Sequence, residues 1–155
     1  MCSLVSCSRS TSNPTTEPSQ PTTQEPTTTT HNNEDDELMN KTLFLKIGNT
    51  EVDASWLDND SVTALKKLAK DNLTIKMHMY GGFEQVGSLG TSITSADTRI
   101  TTSPGDIVLY SSKQIVIFYD SNTWAYTKLG HINLSKSELT DLLGDGDVTI
   151  AITLK

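Results

Sequence analysis

The distribution of apolar residues constrains this chain more than any other feature. Nearly every Val, Ile, Phe, Tyr and Trp lies in residues 40–155, whereas residues 8–39 are rich in Thr, Pro, Ser, Gln and Asn and hold four of the five prolines. A segment without apolar side chains cannot offset the entropy of ordering, so the first forty residues cannot build a core. The remainder is long enough to bury about two-thirds of its unfolded surface. We therefore predict one domain over residues 40–155.

Charge and composition exclude several classes of protein. The chain has 12 Lys and Arg against 19 Asp and Glu, a net charge of −7, so we expect no nucleic-acid partner. No apolar run approaches the roughly 18 to 20 residues that a membrane helix needs. Both cysteines, Cys2 and Cys7, precede the domain and cannot form a disulfide framework within it. These features favour a small domain that we expect to be monomeric.

The N-terminal segment from Leu4 to Ser8 has the pattern of a bacterial lipobox, with Cys7 as the lipidated residue. On this interpretation residues 1–7 are the remnant of a lipoprotein signal peptide, and residues 8–39 are a disordered tether that ends in an acidic run. The charged start and the apolar run of a complete signal would have to lie further upstream. Alternatively, the cysteines are chance thiols at a disordered end. The first interpretation predicts a lipid-anchored, extracytoplasmic protein of a bacterial cell envelope, with the membrane as its partner.

Alternating and continuous apolar patterns predict a mainly β domain. The predicted strands cover residues 42–47, 50–56, 73–80, 107–110, 114–119 and 148–154. The first two flank a Gly48-Asn49 turn, which is typical of a hairpin. The strands at 107–110 and 114–119 are apolar on both faces, so we expect them at the centre of the core. Between the third and fourth strands, residues 82–103 predict a long loop with short strands, and loops of that length are often functional.

Two segments have the spacing of amphipathic helices. Apolar residues from Val62 to Ala69 recur at helical intervals, and Asp58, Asp60 or Ser61 could cap this helix. Asn72 fits the position just after its end. A second helix is predicted after Ser135, which forms a capping-box pattern with Glu138, and it should end at Gly144.

The order of three motifs resembles the small bacterial cyclophilin-like domain family. The motifs are Gly105–Tyr110, Ile115–Tyr119 and Tyr126–Ile132, followed by a helix and a final strand, and the resemblance spans about Lys41–Lys155. It implies a closed cyclophilin-like β-barrel of about eight strands with two short capping helices. It implies no activity, because one fold supports many functions.

Prolyl-isomerising cyclophilins carry an arginine that hydrogen-bonds the prolyl nitrogen. The comparable strand here, Lys76–Tyr80, has no arginine, and Arg99 is the only one in the domain. Our first hypothesis is a non-catalytic module that binds a small molecule or a peptide, and the alternative is a divergent prolyl isomerase acting on envelope proteins. The alternative would gain support if Arg99 pointed into a pocket beside Gln85. A third hypothesis is an interaction module with no pocket.

Residues near the Gly81-Gly82 turn and in the segment after Asn122, together with Arg99, are the candidate ligand contacts, although packing in the core is the ordinary role of the aromatic ones. The candidates are Tyr80, Phe83, Glu84, Gln85, Arg99, Trp124 and Tyr126. Together they would rim an apolar groove with a few polar groups. His78 and His131 stand alone, and no catalytic or phosphate-binding motif occurs, so we expect neither a metal nor a cofactor.

Overall fold

Ten antiparallel strands and three short helices form the regular structure of this protein, for which a computed structural model describes residues 33–155. The strands are β1 (Leu43–Ile47), β2 (Thr50–Val52), β3 (Ala54–Trp56), β4 (Leu73–Tyr80), β5 (Glu84–Ser88), β6 (Thr98–Thr101), β7 (Asp106–Tyr110), β8 (Gln114–Phe118), β9 (Thr123–Ile132) and β10 (Val148–Leu154). The helices are α1 (Asn33–Asn40), α2 (Asp60–Ala69) and α3 (Lys136–Leu143).

Nine of the strands form one path in the order β2-β1-β10-β4-β5-β8-β7-β9-β3, and β6 pairs with β9 outside that path. Because Asp53 alone separates β2 from β3, the two ends of the path are adjacent in the chain, and the sheet curls into a nearly closed barrel. The predicted mainly β barrel is confirmed, with more strands than the eight expected and with a third helix.

The segment predicted as one strand over residues 50–56 is divided at Asp53. Its first part, β2, pairs with β1, and its second part, β3, pairs with β9. The Asp53 carbonyl accepts a hydrogen bond from the backbone N–H of Asn133, and its carboxylate accepts one from the Asn133 side chain at 2.7 Å. These contacts direct the chain from one end of the sheet path to the other.

Strands β7 and β8 are buried on both faces, as their continuous apolar sequences predict. Ile107 and Ile117 point into the main core inside the barrel, whereas Val108, Val116 and Phe118 belong to a second apolar cluster on the outer side. Side chains alternate along a strand, so each of these strands supplies both clusters. The outer cluster forms the base of the site described below.

The helices begin and end close to the predicted positions. The N-cap of α2 is Asn59, whose side chain accepts a hydrogen bond from the Val62 N–H at 2.9 Å, in place of the three caps predicted from the sequence. The capping box of Ser135 and Glu138 is confirmed, as is Gly144 at the end of α3. Both helices bury leucines against the barrel.

Helix α1 occupies residues 33–40, where the tether was expected to continue to residue 39. Acidic residues in its first turn suit the positive end of the helix dipole. Lys67 lies 3.2 Å from the Asp35 carboxylate, and Lys66 donates to the Met39 carbonyl at 2.8 Å, so α2 holds this helix in place. The rest of the predicted tether, residues 8–32, and the proposed lipidation site Cys7 lie outside the described residues. None of the helices in residues 33–155 has the length and apolar character to cross a membrane.

Candidate functional site

A cleft of about 500 Å³ lies on the outer face of the barrel wall. Its lining residues are His78, Met79, Tyr80, Glu84, Val86, Tyr110, Gln114, Val116, Asn122, Trp124 and Tyr126. The register of β4, β5 and β8 explains the arrangement, because Tyr80 lies opposite Glu84 and Val86 lies opposite both His78 and Val116. Residues two apart on a strand share a face, so this register brings the five side chains together on the outside of the barrel.

The first residues of β9 form the other wall of the cleft. They pair with β6, with Trp124 opposite Ile100 and Tyr126 opposite Thr98. The Tyr126 ring packs edge-on against Phe118, with centroids 5.5 Å apart, and against Tyr110 at 5.9 Å. These contacts hold Tyr126 in place, whereas Trp124 is 54% exposed and Tyr80 66% exposed, so both rim residues present ring surface to solvent.

Glu84 is the most unusual residue of the cleft. Its side chain is 7% exposed, and within the described residues its Oε2 atom has no hydrogen-bond partner. Loss of hydration disfavours the ionised form and raises the pKa of Glu84 to about 7. Burial also raises the pKa of Tyr126, and the nearby Glu84 raises it further. An unpartnered buried carboxyl is rare in folded proteins and is typical of functional sites.

His78 lies at the edge of the cleft and is tied to the loop before β10. Its Nδ1 is 2.8 Å from Oδ2 of Asp147, and the other oxygen of that carboxylate accepts a bond from the Met79 N–H at 3.3 Å. The hydrogen bond with His78 lowers the pKa of Asp147, helped by the one from Met79. Both side chains of this hydrogen-bonded pair are largely exposed, so the contact orients His78 without stabilising the fold appreciably.

Four of the seven candidate residues line this cleft: Tyr80, Glu84, Trp124 and Tyr126. The other three do not line it, and their contact with a ligand stays a prediction. Gln85 faces the interior, where its Nε2 donates to the Leu143 carbonyl at 2.7 Å and to the Gly146 carbonyl at 2.6 Å.

Phe83 lies behind the cleft and stacks on Phe118 with ring centroids 6.4 Å apart. Arg99 is exposed on β6, opposite Ala125 of β9. Arg99 and Gln85 are thus on different parts of the wall, and neither lines the cleft. The juxtaposition that would support an isomerase does not occur.

Sequence reasoning did not find the cleft residues supplied by β7, β8 and the turn before β9. They are Tyr110, Gln114, Val116 and Asn122. Three further lining residues of β4 and β5 were also missed as ligand contacts: His78, Met79 and Val86. Strand alternation alone places His78 on the same face of β4 as Tyr80, and Val86 on the same face of β5 as Glu84. The sequence therefore contained a signal for these two residues. Bringing β7 and β8 beside them requires the strand order, which the sequence does not state.

A second polar cluster lies at the start of β7, apart from the cleft lining. The Asp106 side chain is 4% exposed, and its Oδ1 lies 2.9 Å from Lys128 Nζ and 2.8 Å from His131 Nδ1. Its Oδ2 accepts a hydrogen bond from the Ser103 N–H at 3.0 Å. Burial alone would raise the pKa of Asp106, but the bonds from His131, Lys128 and Ser103 outweigh burial and lower it. The cluster joins the Ser103–Asp106 turn to β9.

We expect the substitution Asp106→Asn to lower the free energy of unfolding by about 2 kcal/mol at pH 7, because it weakens charge-assisted hydrogen bonds in a buried position. A carboxyl whose folded pKa is depressed stabilises the protein above its unfolded pKa, and that stability is lost as the pH falls through the folded pKa. The difference from the wild type should therefore shrink below about pH 4. Urea unfolding of the wild type and of Asp106→Asn at several pH values measures this difference in the free energy of unfolding. Asp120→Asn, which removes an exposed partner of Lys136, is the control, and an equal effect of both substitutions would contradict this account.

No three His, Cys, Asp or Glu side chains in residues 33–155 lie together in a way that could hold a metal ion.

The comparisons with known proteins identify the family to which the chain belongs. Searches of curated proteins and of solved structures found no match. The family model described as the cyclophilin-like family matches residues 45–153, which is most of the chain and nearly all of the barrel. The chain therefore belongs to the cyclophilin-like family.

Proposed function

We propose that this protein is a non-catalytic binding module whose ligand, a small molecule or a short peptide, occupies the cleft on the outer face of the barrel. The observation that carries the proposal is the cleft itself, because its volume of about 500 Å³ suits a small molecule. Aromatic side chains and a buried carboxyl share this space, which is the usual mixture of apolar surface and a few polar groups in a ligand site.

The alternative, a divergent prolyl isomerase, has less support. That chemistry needs a cationic donor beside the prolyl nitrogen to weaken amide resonance. The part of the chain that the structure describes contributes neither Arg nor Lys to the cleft lining. Glu84 stands in the cleft instead, and a carboxylate would not stabilise electron density that moves onto the prolyl nitrogen. Catalysed prolyl isomerisation is therefore treated as one possible outcome of the binding test below, and it would contradict the proposal.

The location is a second part of the proposal. We propose that the domain is anchored to the outer side of a bacterial membrane through a lipid on Cys7 and is carried by the polar segment of residues 8–32. The support is the lipobox pattern from Leu4 to Cys7 and the Thr- and Pro-rich composition that follows it. Metabolic labelling with a fatty-acid analogue, of the protein expressed in a bacterial host together with the coding sequence upstream of Met1, should give a signal that Cys7→Ser abolishes. Labelling that persists in Cys7→Ser, or its absence from the wild type, would contradict the anchor.

Binding can be tested by NMR titration of the full chain with a library of small aromatic and peptide fragments. We expect the shifts to concentrate on the amides of β4 and β5 and on the Trp124 indole, and we expect Trp124→Ala to weaken binding several-fold by removing a rim residue. Leu57→Ala is the matched control, because Leu57 is also an exposed apolar residue but does not line the cleft. Shifts centred elsewhere, or none, would contradict the proposal, as would catalysed cis-trans exchange of an Ala-Pro-Phe peptide.

A further inference from the structure

We infer that the cleft selects ligands that carry an ammonium or guanidinium group, with Glu84 as the counter-ion and the surrounding aromatic rings as the walls that contact the cation. This inference rests on the proposed function and adds the chemical class of the ligand.

The Glu84 carboxyl lies in the wall of the cleft, and one of its oxygens has no hydrogen-bond partner among the described residues. The side chain lines the cleft although only 7% of it is exposed, and its buried Oε2 has no partner among residues 33–155. A buried carboxylate without a hydrogen-bond donor is unfavourable, so Glu84 has an unmet requirement for a donor. A ligand N–H group would meet that requirement when the Glu84 side chain turns this oxygen toward the cleft, and a charged N–H group would do so most strongly.

The charges that face Glu84 favour a cation over an anion. From β4 the ionisable groups are His78 and Tyr80, from β7 Tyr110, and from β9 Tyr126, with Tyr119 just after β8. His78 Nδ1 lies 2.8 Å from the Asp147 carboxylate, so a second acidic side chain stands beside the cleft. No Lys or Arg among the described residues lines the cleft. A ligand carboxylate or phosphate would therefore meet Glu84 without a balancing cation.

The aromatic lining suits the same class of ligand. Four aromatic side chains, Tyr80, Tyr110, Trp124 and Tyr126, share the cleft with Glu84. Ring faces attract ammonium and guanidinium groups, and the attraction grows when the cation is removed from water. Val86 and Val116 supply an apolar base against which the carbon stem of such a ligand can pack. One end of the ligand is thus held by charge and the other by apolar contact.

A change in the ionisation of Glu84 would report the binding of a cation in the cleft. Desolvation raises its pKa to about 7, so at neutral pH a large fraction of the molecules carry the proton. A bound cation favours the carboxylate and lowers that pKa. Binding of an amine near pH 7 should therefore release a fraction of a proton per molecule, which calorimetry detects as a dependence of the measured heat on the ionisation enthalpy of the buffer.

Three matched probes test the inference on the full chain: phenethylamine, the neutral 2-phenylethanol and the anionic 3-phenylpropanoate. At pH 8 we expect the amine to bind about tenfold more tightly than the alcohol, as one charge-assisted contact predicts. The propanoate should bind more weakly than the alcohol. In Glu84→Gln the preference for the amine should fall below about twofold while the alcohol binds as before. Glu51→Gln, which removes an exposed carboxyl that pairs with Lys155 and does not line the cleft, is the control, and it should keep the preference and the proton release.

The outcomes separate this inference from the proposed function. Equal binding of amine and alcohol in the cleft would overturn the preference for a cation and leave the binding module intact. A preference for the amine that persists in Glu84→Gln, or that is lost equally in Glu51→Gln, would overturn the role of Glu84. If none of the three probes shifts the cleft resonances, the inference is overturned, and the fragment titration described above decides the proposed function by itself.

Discussion

Replacing Glu84 by glutamine is expected to raise the free energy of unfolding at pH 8. A rise in a carboxyl pKa from the ordinary 4.5 to about 7 corresponds to about 3 kcal/mol against the ionised form in the folded protein. Because the folded pKa is the higher one, the wild type is most stable below the unfolded pKa and loses stability as the pH rises through about 7. The glutamine amide also needs partners, so we expect a net gain of about 1 to 3 kcal/mol at pH 8 and little at pH 4.

Urea unfolding of the two proteins at pH 4 and pH 8 measures this gain. Glu51→Gln is the matched control, because Glu51 is exposed and pairs with Lys155 at 3.2 Å, so its removal should change stability little at either pH. If the free energies of unfolding of the wild type and Glu84→Gln changed with pH in the same way, the prediction would be contradicted. Such a result would mean that the Glu84 carboxyl is well solvated in the folded protein. A gain in stability with a loss of amine binding would identify Glu84 as a residue kept for function at a cost in stability.

Truncation of Phe118 to alanine should have the largest destabilising effect. Phe118 is fully buried in the outer cluster, stacked on Phe83 and edge-on to Tyr126. Removing such a side chain leaves a cavity and costs about 3 to 5 kcal/mol. A domain of this size has a stability of about 5 to 15 kcal/mol, so the variant should lose a large part of it. The cleft should lose its shape as well, because Tyr126 packs on this ring.

Phe44 offers a comparison of the same residue type outside the cluster. It is partly exposed on β1, with the Lys155 ammonium 4.2 Å from its ring centroid, so we expect Phe44→Ala to cost about 1 kcal/mol. Thermal and urea unfolding measure both variants. If Phe118→Ala cost no more than Phe44→Ala, the outer cluster would not be a close-packed part of the fold.

Much of the barrel could be predicted because its central strands have clear patterns. The segments 73–80, 107–110 and 148–154 combine alternation or continuous apolar sequence with β-branched residues, and the capping box at Ser135 is a specific signal. Other elements depend on tertiary contacts. β6 lies in Thr-rich sequence and forms by pairing with β9, and α1 is a polar segment held by lysines of α2.

The site was predicted in part, and the reason lies in the strands. Proximity to the Gly81-Gly82 turn pointed to Tyr80 and Glu84, which do line the cleft. Proximity along the chain does not determine which way a side chain points, and Gln85, one residue further along β5, faces the interior. Residues contributed by β7 and β8 require the strand order. Membership of the cyclophilin-like family gives the barrel and leaves the ligand to be argued from the cleft.

The central claim is that a desolvated carboxyl without a partner stands in the cleft on the outer wall of the barrel. The most direct measurement is a pH titration of the Glu84 side-chain carboxyl carbon by NMR in the full chain, with the resonance assigned by comparison with Glu84→Gln. The account predicts a midpoint of about 7 in the free protein. A midpoint near the ordinary carboxyl value of 4.5 would contradict it, because it would mean that water or another donor already satisfies the group.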